Sequence, residues 1–144
     1  MKLRNILENI VVDDTKKNVQ KELRRIASDC GLVATLNIPR ETSGGTVYTV
    51  RLNPKSSNLE KWTAVDTFNG HVGYGMNESY YDAVFKFWLA VFDTFKDRID
   101  IMIHNYDNNT HSWKKVPSVV KISDSWFKDQ RNSLAATSFR ISKN

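Results

Sequence analysis

The sequence predicts an α+β fold, in which an antiparallel sheet of about four strands packs on two helices and a strand-and-helix extension follows at the C-terminus. Three observations carry this. Apolar residues recur at helical spacing over residues 15–30 and again over 79–98. Between these stretches lie short runs rich in β-branched and aromatic residues. The runs are punctuated by Ser43-Gly44-Gly45 and Asn69-Gly70, both turn formers.

The elements follow in order. Leu3, Ile6, Leu7, Ile10 and Val11 fall at helical spacing. Asp13-Asp14-Thr15 offers either a cap for a second helix or a passage within one continuous helix. Val19, Leu23, Ile26, Ala27 and Cys30 then share one face, and Gly31 follows as a C-terminal cap. Leu32, Ala34, Leu36 and Ile38 alternate with other residues up to Pro39. Thr46 to Leu52 has strand composition, so residues 32–52 read as a hairpin with Arg40 and Glu41 at its tip. Residues 53–58 read as a loop, and a third strand is expected from Trp62 to Phe68. Asn69-Gly70 turns it into a fourth, His71 to Gly75.

Ser79-x-x-Asp82 has the form of a capping box opening a helix to about Arg98. Tyr80, Val84, Phe87, Trp88, Val91 and Phe95 make its broad apolar face, the pattern of a central packing helix. Ile99, Ile101 and Ile103 suggest a strand, returning after Asp107–Thr110 as Trp113 to Val116. Beyond Pro117 come a short extended run, 118–122, and a helix from near Trp126 to Ala136. The expected organisation is one domain: an αββββα core over 15–98 and an extension over 99–144.

With 144 residues, 40% hydrophobic and 26% charged, the chain has the composition of a globular protein able to bury a core. No apolar run reaches the ~18 residues of a membrane span, and no secretory signal is expected at the N-terminus. A lone cysteine, Cys30, cannot form an internal disulfide, which suggests the cytoplasm as compartment. Its place on the apolar stripe marks it as a small buried hydrophobe rather than a nucleophile.

The net charge is +5. Residues 1–40 hold 8 bases and 5 acids, residues 41–98 hold 6 and 7, and residues 99–144 hold 7 and 4. The excess therefore sits in the two ends, where it favours a polyanion. The best-organised basic feature is Lys17, Lys21 and Arg24, continued by Ser28, at steps of three and four on the polar side of the first long helix. In the C-terminal third, Trp113 precedes Lys114-Lys115, and Trp126-Phe127-Lys128 repeats the association. Rings beside cations suit stacking on unpaired bases with phosphate contacts, or anchoring of a protein interface. They also suit tryptophans that cover a core while lysines snorkel past them.

Signals for catalysis are weak. The chain has no Gly-x-Ser-x-Gly elbow and no phosphate-binding Gly-x-x-x-x-Gly-Lys loop. His104 and His111 flank the turn containing Asp107, a set suited to a divalent metal if the three meet, as in a metal-dependent nuclease. No enzyme activity, metal or cofactor is expected.

The helix Val19–Cys30 closed by Gly31, the strand Thr46–Leu52, and Gly73-Tyr74-Gly75 leading to Ser79 and Ala83 resemble the double-stranded-RNA-binding domain. The resemblance covers residues 15–98. It implies the helix–sheet–helix layout and a duplex RNA partner held by lysines at the start of the second helix. Here that stretch reads Asn77-Glu78-Ser79-Tyr80-Tyr81-Asp82, with two acids and no base.

In length and composition the chain also resembles compact accessory proteins of phages and mobile elements, many of which bind and inhibit a host protein. The leading expectation is a non-catalytic nucleic-acid-binding protein using Lys17, Lys21, Arg24, Trp113, Lys114, Lys115, Trp126 and Lys128. The alternative is a host-protein inhibitor. No membrane partner is expected, and Leu3, Ile6, Leu7 and Ile10 offer a homodimer contact.

Overall fold

A computed structural model describes residues 2–95, 99–105, 110–115 and 134–141. The fold is α+β, as expected. Helix α1 (Lys2–Asp29) is followed by β1 (Leu32–Leu36), β2 (Arg40–Thr42) and β3 (Gly45–Pro54). Next come α2 (Ser56–Trp62), β4 (Thr63–Phe68), β5 (His71–Met76) and α3 (Glu78–Phe95). Strands β6 (Ile99–Asn105), β7 (Thr110–Lys115) and β8 (Ala136–Ile141) complete the described chain.

Of the two readings of the N-terminus, the structure has the continuous helix. Asp13-Asp14-Thr15 lies within α1 rather than capping a second helix. Gly31 ends the helix with φ +79°, a conformation glycine adopts freely. A Cβ there would stand 2.6 Å from Asn58 Nδ2 and 2.9 Å from the Trp62 ring. Asn58 in turn donates from Nδ2 to the Gly31 carbonyl. Gly31→Ala is therefore expected to destabilise the fold by about 1–2 kcal/mol from backbone strain alone, before any cost of moving Trp62. A thermal melt of the variant measures this.

The main sheet runs β1-β3-β8-β6-β7, with β2 also paired to β3, and its paired strands are antiparallel. The 32–52 hairpin forms as expected, with Leu32 opposite Pro54 and Leu36 opposite Val50. Arg40 and Glu41 are not at its tip. They belong to β2, opposite Val47 and Thr46, and Ser43-Gly44 makes the turn. The reason is local: Thr42 Oγ1 donates to the Gly45 carbonyl, and Thr46 Oγ1 donates to Glu41, so the ladder extends past Pro39.

The four strands expected in one sheet are divided. Strands β4 and β5 form a separate two-stranded sheet around Asn69-Gly70. Both turn residues have positive φ, 49° and 78°, as a two-residue hairpin turn demands. The edge of β3 that a single four-stranded sheet would give to β4 is taken by β8, with Thr46 opposite Ile141 and Arg51 opposite Ala136. The described strands of 99–144 thus share one sheet with β1 and β3, and β8 lies in the middle of it. Ala136, expected at the end of a helix, is the first residue of β8. The remainder of that helix, from Trp126, and the 118–122 run lie outside the described residues.

One face of the sheet carries the core. Leu32, Ala34, Tyr48, Val50, Leu52, Ile99, Ile101 and Phe139 pack against Leu23, Ile26 and Ala27 of α1 and Val84, Phe87, Trp88 and Val91 of α3. The apolar face read for α3 is the one buried, with Phe95 at its partly buried end. Its cap is not Ser79. Asn77 Oδ1 accepts from the Ser79 and Tyr80 amides, two residues earlier than the expected box. An amide side chain satisfies the same free N–H groups as a hydroxyl would.

Tyr80 ties α3 to the sheet. It is 5% exposed and its hydroxyl donates to the Leu52 carbonyl. Burial pushes its phenol up to about 12, with Tyr81 adding to the shift. The unfolded phenol titrates near ~10, so the folded state binds the proton more tightly. That contribution to stability is complete below the unfolded value and is lost as pH rises through the folded one. Wild type is therefore expected to lose stability between the two values, and Tyr80→Phe to show a smaller loss there. Urea midpoints measured across alkaline pH check this. At neutral pH, Tyr80→Phe costs about 1–2 kcal/mol by leaving the Leu52 carbonyl without its donor.

Candidate functional site

On α1, the residues turned from the core include four cations, Lys17, Lys21, Arg24 and Arg25, beside Asn18, Ser28 and Asp29. Lys17, Lys21, Arg24 and Ser28 are all exposed, as their spacing implies. From Lys17 to Arg24 the stripe spans about 10 Å along the helix. Its neighbours on the other exposed flank are neutralised. Arg25 pairs with Glu22 and, at 2.8 Å, with Asp29. The Arg25 hydrogen bond holds the Glu22 carboxyl below its ordinary range. Lys16, nearer the sheet, pairs with Glu41 at 2.7 Å. Among the described residues, Lys17, Lys21 and Arg24 enter no ion pair. Among the described residues no acid pairs with the stripe, and Glu22 and Asp29 beside it are occupied by Arg25.

The second basic group lies elsewhere. Helix α1 packs over β1 and against α3, and β1 is one edge of the main sheet. Strand β7, with Trp113, Lys114 and Lys115, is the opposite edge, four strand spacings or roughly 19 Å away. Trp113 is also on the other face. It sits opposite Met102, and the Arg140 guanidinium lies 4.7 Å from its ring centroid. Arg140 alternates with the buried Phe139 and Ile141, so it faces away from the helices. Two hydrogen bonds, of 3.1 and 2.7 Å, fix Arg140 to Asp100. Trp113 therefore already carries a cation on its ring, held in place by a carboxylate, an arrangement that completes a sheet surface. The structure does not join Lys17, Lys21 and Arg24 with Trp113 into one surface. Lys114 is opposite Ile101 and Lys115 is opposite Asp100 in register. Trp126 and Lys128 lie outside the described residues.

The β6–β7 register sets His104 directly opposite His111. Asp107 lies outside the described residues. Among the described residues no group of three His, Cys, Asp or Glu side chains is placed to hold a metal ion.

Sequence reasoning did not find the cleft where the end of α1 meets α2 and α3. It has a volume of about 300 Å³, and Asp29, Cys30, Trp62, Asp82 and Lys86 are among its walls. Trp62 is positioned by its contact with Gly31 and by Tyr80, whose ring is 6.5 Å away. No motif announces this cleft, since its walls come from three separate elements. Burial pushes the Cys30 thiol up, Asp29 adds to the rise and Lys86 opposes it. Cys30 packs against the core but is only partly buried and lines the cleft, so it is not the buried hydrophobe that its place on the apolar stripe suggests.

No described helix is long and apolar enough to cross a membrane. No family model, curated protein or solved structure matches the chain.

Proposed function

We propose that this chain is a non-catalytic nucleic-acid-binding protein of the cytoplasm that docks the phosphate backbone on the exposed face of α1. The observation that carries the reading is the stripe Lys17, Lys21 and Arg24, exposed and outside every ion pair of the described residues. Such a stripe attracts a polyanion by releasing condensed counterions, with no need for a shaped pocket. A helix presenting cations but no described aromatic on the same face favours backbone contacts over base readout. Trp113, Lys114 and Lys115 are not part of this surface. The acidic start of α3, with Glu78 and Asp82, is not part of it either.

The test is a salt titration of binding to labelled single-stranded DNA, duplex DNA and duplex RNA, read by anisotropy. Micromolar or tighter binding near physiological salt, falling steeply with log salt, supports the reading. Absent binding, or binding confined to low salt, overturns it and directs attention to the inhibitor of a host protein.

A further inference from the structure

We propose that the cleft where the end of α1 meets α2 and α3 binds a free aromatic α-amino acid. Its volume of about 300 Å³ stands at the lower end of the ~300–1,000 Å³ that ligand sites occupy, room for a molecule of this size. The cleft is separate from the basic stripe, since Lys17, Lys21 and Arg24 are not among its walls.

The walls are held to one another. The Gly31 carbonyl accepts from the Lys55 amide and from Asn58 Nδ2, which fixes the end of α1 to the start of α2. Having no Cβ, Gly31 also lets the Trp62 ring close against that end. Asn77 then joins α2 to α3. Its amide donates to the Trp62 carbonyl at 2.8 Å, its Nδ2 donates to the Lys61 carbonyl at 2.7 Å, and its Oδ1 caps α3. A cleft braced in this way needs little ordering when a ligand enters.

Charge and shape select the occupant. Ser79, Asp82, Ala83 and Lys86 follow at i, i+3, i+4 and i+7, so they share one face of α3, and all four line the cleft. Ala83 is small and 5% exposed, so the wall between Asp82 and Lys86 is short and apolar. Asp29, across the cleft, is balanced by Arg25 at 2.8 Å. Asp82 and Lys86 are exposed and enter no ion pair among the described residues. One charge of each sign therefore remains, a helical turn apart. A purely anionic ligand is repelled by Asp82 and a purely cationic one by Lys86. An ammonium on Asp82 with a carboxylate on Lys86 satisfies both. A free α-amino acid carries both groups on one carbon, whereas a residue within a peptide has lost at least one of them to an amide bond. Trp62, partly buried in the wall, offers its ring to a flat apolar side chain.

Cys30 supplies the test, being the chain's one cysteine and a partly buried part of the cleft wall. Alkylation of the full chain by uncharged iodoacetamide is followed by intact mass, with and without phenylalanine. About 10 mM phenylalanine is expected to slow alkylation roughly tenfold, as a dissociation constant near ~1 mM gives. Phenethylamine, 3-phenylpropionate and glycine each lack one of the three recognised groups and are expected to protect far less. Asp82→Asn and Lys86→Gln, both at exposed positions, are expected to melt as wild type does and to lose most of the protection. Amide shifts on adding phenylalanine, expected in residues 29–31, 62 and 79–86, are the second readout and decide where the alkylation rate does not respond. No protection and no such shifts, a response equal for all four compounds, or a response unchanged in both variants overturns the proposal.

Discussion

Reversing Lys17, Lys21 and Arg24 together to glutamate is expected to weaken nucleic-acid binding by more than about tenfold near physiological salt and to lower the log–log salt slope by about 3. Each cation that meets a phosphate contributes roughly one unit of slope, so the change in slope reports how many phosphates the stripe engages. All three side chains are exposed and unpaired among the described residues, so the variant should melt within a few degrees of wild type. The weakening should be similar for different base sequences, because backbone contacts carry no sequence information. Reversal at Lys114 and Lys115 is the internal control. They lie at the far edge of the sheet from α1 and should leave binding through α1 intact. An unchanged affinity in the triple variant would remove the stripe from the binding surface. Equal weakening by both sets would mean that the ligand wraps the sheet edge to edge.

What the sequence discloses depends on whether a signal is local. The stripe is legible because Lys17, Lys21 and Arg24 repeat at steps of three and four within one helix, opposite Leu23, Ile26 and Ala27. Asn69-Gly70 is legible because a two-residue turn needs positive φ at both positions. The cap of α3 is nearly legible: Ser79 has the right chemistry, but Asn77 supplies the cap from two residues earlier. Strand β8 is not legible. Ala135-Ala136 favours a helix locally, and Thr137-Ser138 is polar, so only Phe139 and Ile141 hint at a buried strand. Its place between β3 and β6 is decided by long-range pairing that no window along the chain contains. The same non-local pairing hides Arg140, and with it the cation that lies over the Trp113 ring. It also explains why β4 and β5 stand apart, since β8 fills the position beside β3.

The dependence of the fold on β8 leads to the largest expected stability change, at Trp88. This ring is fully buried on α3 and lies edge-on to Phe139 of β8, with centroids 5.7 Å apart and planes at 85°. It also meets Phe87 at 5.1 Å and Phe92 at 5.7 Å. Its Nε1 donates to the Leu134 carbonyl at 2.8 Å, just before the strand begins. The Ala135 carbonyl then accepts from the Leu52 amide at 2.9 Å, so the two residues entering β8 are fixed by α3 and by β3 in turn. Trp88→Ala is expected to cost about 3–5 kcal/mol through the cavity, with the unpaired Leu134 carbonyl adding to the loss. For a domain that starts from about 5–15 kcal/mol, this brings the fold close to its limit. Trp88→Phe keeps most of the packing and removes the donor, and should cost about 1–3 kcal/mol. Chemical denaturation of the pair separates the two contributions. Amide exchange then locates the damage: if Trp88 anchors the entry to β8, protection in Thr137–Ile141 should fall before protection in β4 and β5. Uniform loss across both sheets would instead make Trp88 a general core residue with no special hold on the strand.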